Sequence, residues 1–412
     1  MNTFPITFSS LFLAFRQTQV GSPPTQFDDR REASHDDGVS TLKRYSSGQP
    51  KIRRDPTLSC RVVDSRSFYS AMTSVVVVMV ASGIVVPHID LEVLRELGLF
   101  WVSSLTLGFM LARSYSSLLH ARLYGSLTPK LTGVLALGLL IVCYVSYTVL
   151  PPITYPLISV LDGFSSGLFW PLMQSLLVHG VDRRWRSRAL SIYFLVGNLA
   201  RYAGCQIGSV IYVYLGPGRI VYSGILVLIS YLALYSAMSP GRVVVQVKKT
   251  GYGFREIVGE VRYVRSLVPL FFIVGGVNGL LKDYLFAYVK LITGYDEPTL
   301  RTFWSIVGYV GLGLSVLTSH LHEALGKTRL VLMTSTVFTL SVMSLAFVRN
   351  PILVCTVLSL TIIGIRTMRP MLRGMASNLT RRPETGIALV NSLSNMAAGL
   401  MPFVVGLVGL VV

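Results

Sequence analysis

The sequence predicts an all-α polytopic membrane protein made of two pseudo-repeated helical bundles, and three observations predict it. Of 412 residues, 52% are hydrophobic and only 14% are charged, against about 25% charged in soluble domains. The apolar residues arrive in blocks of about 20, the length that crosses the hydrocarbon core of a bilayer. The blocks lack the period-2 alternation of a membrane barrel, and in lipid the remaining way to satisfy the backbone is the helix.

Residues 1–66 read differently, as a polar, disordered tail rich in Pro, Ser, Asp and Arg. Met1 to Phe15 lack a basic start, so no signal peptide is expected. Spanning helices are then predicted at 68–88, 98–112, 131–150, 153–179, 189–215, 220–238, 266–289, 302–317, 330–347, 352–372 and 386–411. These divide into a six-helix bundle over 67–238, a basic linker over 239–265, and a five-helix bundle over 266–412 that lacks a twelfth helix.

The net charge of +18 would suggest nucleic acid in a soluble chain. Here the cations sit between apolar blocks, where they set topology and meet anionic lipid headgroups. The even-numbered connections carry most of the Lys and Arg, including the Arg183–Arg184 pair, Lys248, Lys249 and the Arg381–Arg382 pair. The odd-numbered connections instead carry acid: Asp90, Glu92, Glu96, Asp296 and Glu297. This asymmetry places the even connections and the N-terminus in the cytoplasm.

The chain also resembles itself. Pro171 in FWPLMQSLL answers Pro370 in MRPMLRGMA, and Arg183 and Arg184 answer Arg381 and Arg382. LLHARLYGSLTPK likewise answers HLHEALGKTR. Parallel halves of this kind place a binding site near the midplane between them.

With these features the sequence resembles the major facilitator superfamily (MFS) over residues 68–412. GIVVPHIDLEVLRELGLFWVSSLTLGF is similar to that family's opening hairpin, through Gly83, Pro87, Leu94, Leu97, Gly98 and Gly108. The family's GxxxDRxGRR loop motif is matched in part by Glu323, Gly326 and Lys327. In the first half Gly125 and Ser126 stand where that motif has its acid and arginine. The resemblance implies a secondary active transporter in the plasma membrane, working by alternating access. It would be a monomer in the lipid bilayer that moves a small solute, with a possible coupling proton and no cofactor. A non-transporting receptor or scaffold on the same fold is the alternative.

Subtracting tail and connection charges leaves five inside the predicted spans: Asp162, Arg201, Lys282, Asp283 and Arg366. Each costs about 2.5–3.5 kcal/mol against lipid, so they should face protein or water. They fall on the fourth, fifth, seventh and tenth spans; in the resembled family the fourth, seventh and tenth line the central cavity. Asp162 and Arg201 are expected to pair, either as a switch that carries a proton or as a fixed structural bridge. Lys282 and Asp283 are neighbours and should point apart. Lys282, with Asn278 one turn away, could meet a substrate anion or snorkel to the surface. Arg366 could contact substrate or join Arg369 and Arg373 in a cytoplasmic charge band. Trp170, Gln174, Asn198, Asn391 and Asn395 are further cavity candidates, although polar residues in spans also serve as helix-packing glue. Three interior cations against two anions predict an anionic or zwitterionic solute.

No P-loop, HExxH, GxSxG or GxGxxG motif occurs. Cys60, Cys143, Cys205 and Cys355 form no CxxC pair, so no zinc site or other metal site is expected. An enzyme is disfavoured.

Overall fold

The structure is a computed structural model. It describes residues 64–411 except 124–126, 183–184, 239–253, 326–335, 342, 345–346, 349 and 381–382. The predicted tail through residue 63, most of the basic linker, and Gly326 and Lys327 of the loop motif lie outside the described residues. Glu323 lies on a described helix, but its side chain does not. The described residues fall in one unit, Arg61–Val412.

The fold is helical throughout, with no sheet among the described residues. The first six helices are α1 (Ser65–Leu97), α2 (Leu99–Leu123), α3 (Pro129–Val149), α4 (Tyr155–His179), α5 (Arg186–Leu215) and α6 (Ile220–Ala237). Two short helical turns, Phe254–Gly259 and Val261–Val264, lead into the second half. There α7 runs Val268–Gly279, continues through a π turn at Leu280–Tyr284, and ends as Leu285–Thr293. It is followed by α8 (Glu297–Leu325), α9 (336–341), α10 (Pro351–Leu379) and α11 (Pro383–Val411).

Local signals fix the starts. Asp64 caps α1, accepting from the backbone N–H of Arg66 at 3.1 Å and of Ser67 at 3.3 Å. Thr128 and Asn350 cap α3 and α10, each followed by a proline at the first helical position. Gly294 ends α7 in the left-handed region at φ 67°.

The predicted spans are all present where described, but several are longer. α1 reaches Leu97 instead of 88, α8 begins at Glu297 instead of 302, and α10 continues to Leu379 instead of 372. Asp90, Arg301 and Arg373, which fall just outside the predicted span ends, therefore lie on helices, as does Arg369 inside the predicted 352–372. A charge at the end of an apolar block reads in sequence as the end of the helix. Here the helix continues because the charge finds protein around it.

Packing follows the repeat. α1 crosses α5 as α7 crosses α11, and α2 contacts α4 as α8 contacts α10. The halves meet through α2 against α11 and α5 against α8, again equivalent pairs. Glycine makes the tightest crossings possible. A Cβ at Gly275 or Gly279 of α7 would run into the backbone carbonyls of Ser394 or Ala398 on α11. α1, α3, α6, α7, α10 and α11 are long and apolar enough to cross a membrane by length and composition. α3 and α6 expose Leu135, Val142, Leu226 and Ile229 outward, as lipid-facing helices should.

Candidate functional site

Ionisable side chains gather at the junction of the halves in three layers, described from the acidic end (where α1 ends) to the basic end (where it begins).

The outermost layer joins α1 to α8. Arg301 is fully buried, at 0% exposure. Its Nε and Nη2 donate to Glu297 Oε1 at 2.9 and 2.7 Å, and its Nη1 donates to the carbonyl of Ile84 at 3.0 Å. His88 Nδ1 lies 3.1 Å from the same Glu297 oxygen. A guanidinium buried this deeply needs its donors satisfied, and this arrangement satisfies them.

The middle layer centres on Asp283, also 0% exposed. Its Oδ2 accepts from Thr106 Oγ1 of α2 at 2.6 Å and from Lys282 Nζ. Its Oδ1 is buried without a hydrogen-bond partner. The neighbours Lys282 and Asp283 thus meet, contrary to the expectation that they point apart. The π turn at Leu280–Tyr284 departs from the 100° spacing on which that expectation rested. Lys282 does not snorkel: its Nζ sits 4.1 Å over the ring of Phe109 on α2. A small cavity opens beside it, lined by Asp90, Arg201, Lys282, Cys205, Phe286 and Trp304.

The Asp162–Arg201 pair does not form. Arg201 Nη2 donates instead to the carbonyl of Lys282 at 3.3 Å, across the junction of the halves. Asp162 is buried on α4 and accepts from Ser166 one turn away at 3.3 Å. α5 turns Arg201 toward α1 and α7, because Gly83 lets α1 lie directly on the backbone of Arg201.

The layer toward the basic end is cationic. Arg369 of α10 lies within electrostatic range of Arg113 on α2 and of Arg366 and Arg373 on its own helix, and Asp162 of α4 lies within the same kind of range of Arg113. Arg369 and Arg373 sit 5.7 and 4.8 Å over the ring of Phe194 on α5. Arg373, 2% exposed, donates through Nε to Asn391 Oδ1 at 3.0 Å, and Asn391 Nδ2 donates to Gln174 of α4 at 3.2 Å. Arg369 Nη1 donates to Asn278 Oδ1 at 2.5 Å. Ser114 of α2 donates to the carbonyl of Ser392 on α11 at 2.9 Å. Among the described residues, none of these four arginines has a carboxylate at ion-pairing distance.

The structure therefore brings Asn278, Gln174 and Asn391 into one network with Arg369 and Arg373, and it leaves Arg366 and Asn395 beside that network. Asn198 is spent on its own helix, donating to the carbonyl of Phe194 at 2.5 Å. Trp170 is buried edge-to-face against Phe169, as core packing. Asp90, Arg113, Thr106, Arg301, Arg369 and Arg373 were missed as interior groups. A longer reading of the helices recovers Asp90, Arg113, Arg301 and Arg373, whereas Thr106 and Arg369 lie inside the predicted spans.

Two pseudo-repeated helical bundles around a charged junction define an integral membrane protein of the facilitator type. The chain belongs to the Major Facilitator Superfamily: the sequence model of that family matches residues 10–404. A search of curated proteins by sequence finds no match. Among solved structures, the fold is similar to that of the human organic anion transporter MFSD10 (TETRAN), with a TM-score of 0.62 and 13% identity over 83% of this chain and 92% of that one. It is similar to the nucleoside transporter NupG at a TM-score of 0.62 and 11% identity, covering 83% and 90%. The xylose transporter XylE from E. coli, in a partially occluded inward-open conformation, gives 0.62 and 11%, covering 84% and 92%. Identities this low show the shared fold alone.

Proposed function

We propose that this chain is a secondary active transporter that moves a small anionic solute between its two bundles by alternating access. The observation that carries this reading is the arginine layer, in which Arg113, Arg366, Arg369 and Arg373 meet at the junction of the halves without a paired acid. The interior is more positive there than the five charges visible in the sequence implied, which favours an anion over a zwitterion. The organic anion transporter among the similar folds accords with this, but the residues carry the inference.

Coupling to protons would run through Asp283, whose carboxylate holds Lys282 and Thr106 and keeps one oxygen free. Asp162 is the second candidate. The basic end, with the N-terminus, would face the cytoplasm of a plasma-membrane protein that works as a monomer. Each half then supplies one wall of the solute path, α2, α4 and α5 opposing α10 and α11.

Flux into proteoliposomes tests the proposal. Uptake of at least one anion, abolished by removing Arg369 and steepened by a proton gradient, is expected. Folded protein that moves no solute from a broad panel would instead favour a receptor or scaffold.

A further inference from the structure

We infer that the layer of Arg113, Arg366, Arg369 and Arg373 is a binding site for an oxyanion carrying at least two negative charges, such as a phosphate or a dicarboxylate; this rests on the transporter reading and narrows its substrate class. Three observations bear on it together.

The first is charge. Four guanidiniums stay ionised under all ordinary conditions, because arginine does not give up its proton in proteins. Even with Asp162 acting on Arg113, a monovalent anion would leave part of that charge uncompensated in a region of low dielectric.

The second is unused hydrogen-bonding capacity. Arg366 Nε is buried with no partner, and so is the side-chain nitrogen of Asn395, a residue 2% exposed. Both lie on the side of the Arg373–Asn391 bond that faces the middle of the protein. Arg366 is two turns from Arg373 along α10, and Asn395 is one turn from Asn391 along α11. That bond ties α10 to α11, so the two orphan donors approach the same level. Buried donors without acceptors are costly, and a bound oxyanion is the acceptor they lack.

The third is rigidity. Arg373 is fixed by Asn391 and by the face of Phe194, and Arg369 by Asn278. Guanidiniums held in place by ring faces and amides are already oriented for bidentate contact with a planar or tetrahedral oxyanion.

The test uses full-length protein in detergent without anionic lipid, at constant ionic strength. Thermal unfolding and calorimetry are run with inorganic phosphate, sulfate and succinate, and with acetate, chloride and glucose as comparisons. Binding by one or more divalent anions, at least about tenfold tighter than acetate, is expected from the additional charge-assisted hydrogen bonds. Phosphate without succinate selects the compact oxyanion, and the reverse selects the dicarboxylate. Arg366→Gln, which breaks no hydrogen bond in the ligand-free protein, should weaken that binding about tenfold while leaving the ligand-free Tm unchanged or raised. Arg95→Gln, at the exposed acidic end, should change neither. Equal stabilisation by chloride, or divalent binding untouched by Arg366→Gln, would overturn the site. Protein that transports a monoanion or a neutral solute and binds no divalent anion would overturn the site and keep the transporter. Divalent binding without flux would keep the site and overturn the transporter.

Discussion

Arg301, on the first helical turns of α8, donates to the backbone carbonyl of Ile84 in α1 over 3.0 Å, so one half of the protein holds the main chain of the other at the acidic end. The same guanidinium neutralises Glu297, which holds His88. Removing it leaves the half-buried Glu297 carboxylate with His88 alone and frees the contact between α1 and α8. Breaking a buried pair from one side costs about 3–5 kcal/mol. Arg301→Ala should lower Tm and increase labelling of cysteines placed along α1 near Ile84; labelling and Tm equal to the parent protein would show that the contact holds nothing.

Asp283→Asn should separate exchange from accumulation. The amide can still meet Thr106, but it carries no charge for Lys282 and takes up no proton. Proton-driven accumulation should fall by about tenfold or more, as expected when a proton-transfer group is lost, while exchange of solute across an equilibrated membrane persists. Asp162→Asn serves as the parallel variant. If both keep pH-sensitive uptake, neither residue carries the proton.

The crossing of α7 over α11 leaves no room for a side chain at Gly279. Gly279→Ala drives a methyl into the Ala398 carbonyl, and overpacking of this kind costs about 1–3 kcal/mol. Gly138→Ala, where a Cβ meets nothing within 4 Å, should be neutral or stabilising. Parallel melting curves check both.

Two asparagines that look equivalent in the sequence should behave differently. Asn198→Ala removes a bond to its own helix and should alter transport less than about twofold. Asn391→Ala frees Arg373 and Gln174 together, and losing hydrogen bonds to a charged group should cost about tenfold in uptake. Similar losses for both would mean that the Arg373 network has no special part in transport.

These contrasts show where the sequence was informative. Hydropathy located the helices because lipid demands apolar blocks; of the five charges read inside them, Asp162 and Asp283 are buried and Arg201, Lys282 and Arg366 are half-buried. The repeat and the resemblance pointed to the right family. Partners were harder to read. The expected pairing rests on a depth difference of roughly 7 Å, most of which a long arginine can close, but α5 is rolled by its contact at Gly83, and depth does not reveal roll. Lys282 and Asp283 meet through a π turn that regular helix geometry does not anticipate. Asp90, Arg301 and Arg373 fall just past the predicted span ends, because a charge at the edge of a block looks like the water boundary. All three are instead buried, and Arg369 is held to Asn278.

If the chain works by the proposed alternating access, the arginine layer also constrains its return stroke. A carrier that releases its cargo would close again over four like charges with no carboxylate at ion-pairing distance among the described residues, and their mutual repulsion would raise the barrier to that empty transition. A second anion loaded from the opposite side removes the penalty. Unlabelled anion outside should therefore accelerate efflux of labelled anion from inside, by about tenfold or more if repulsion adds only ~1.4 kcal/mol to the empty step. Efflux indifferent to the trans side would mean that the arginines are already screened when the site is vacant.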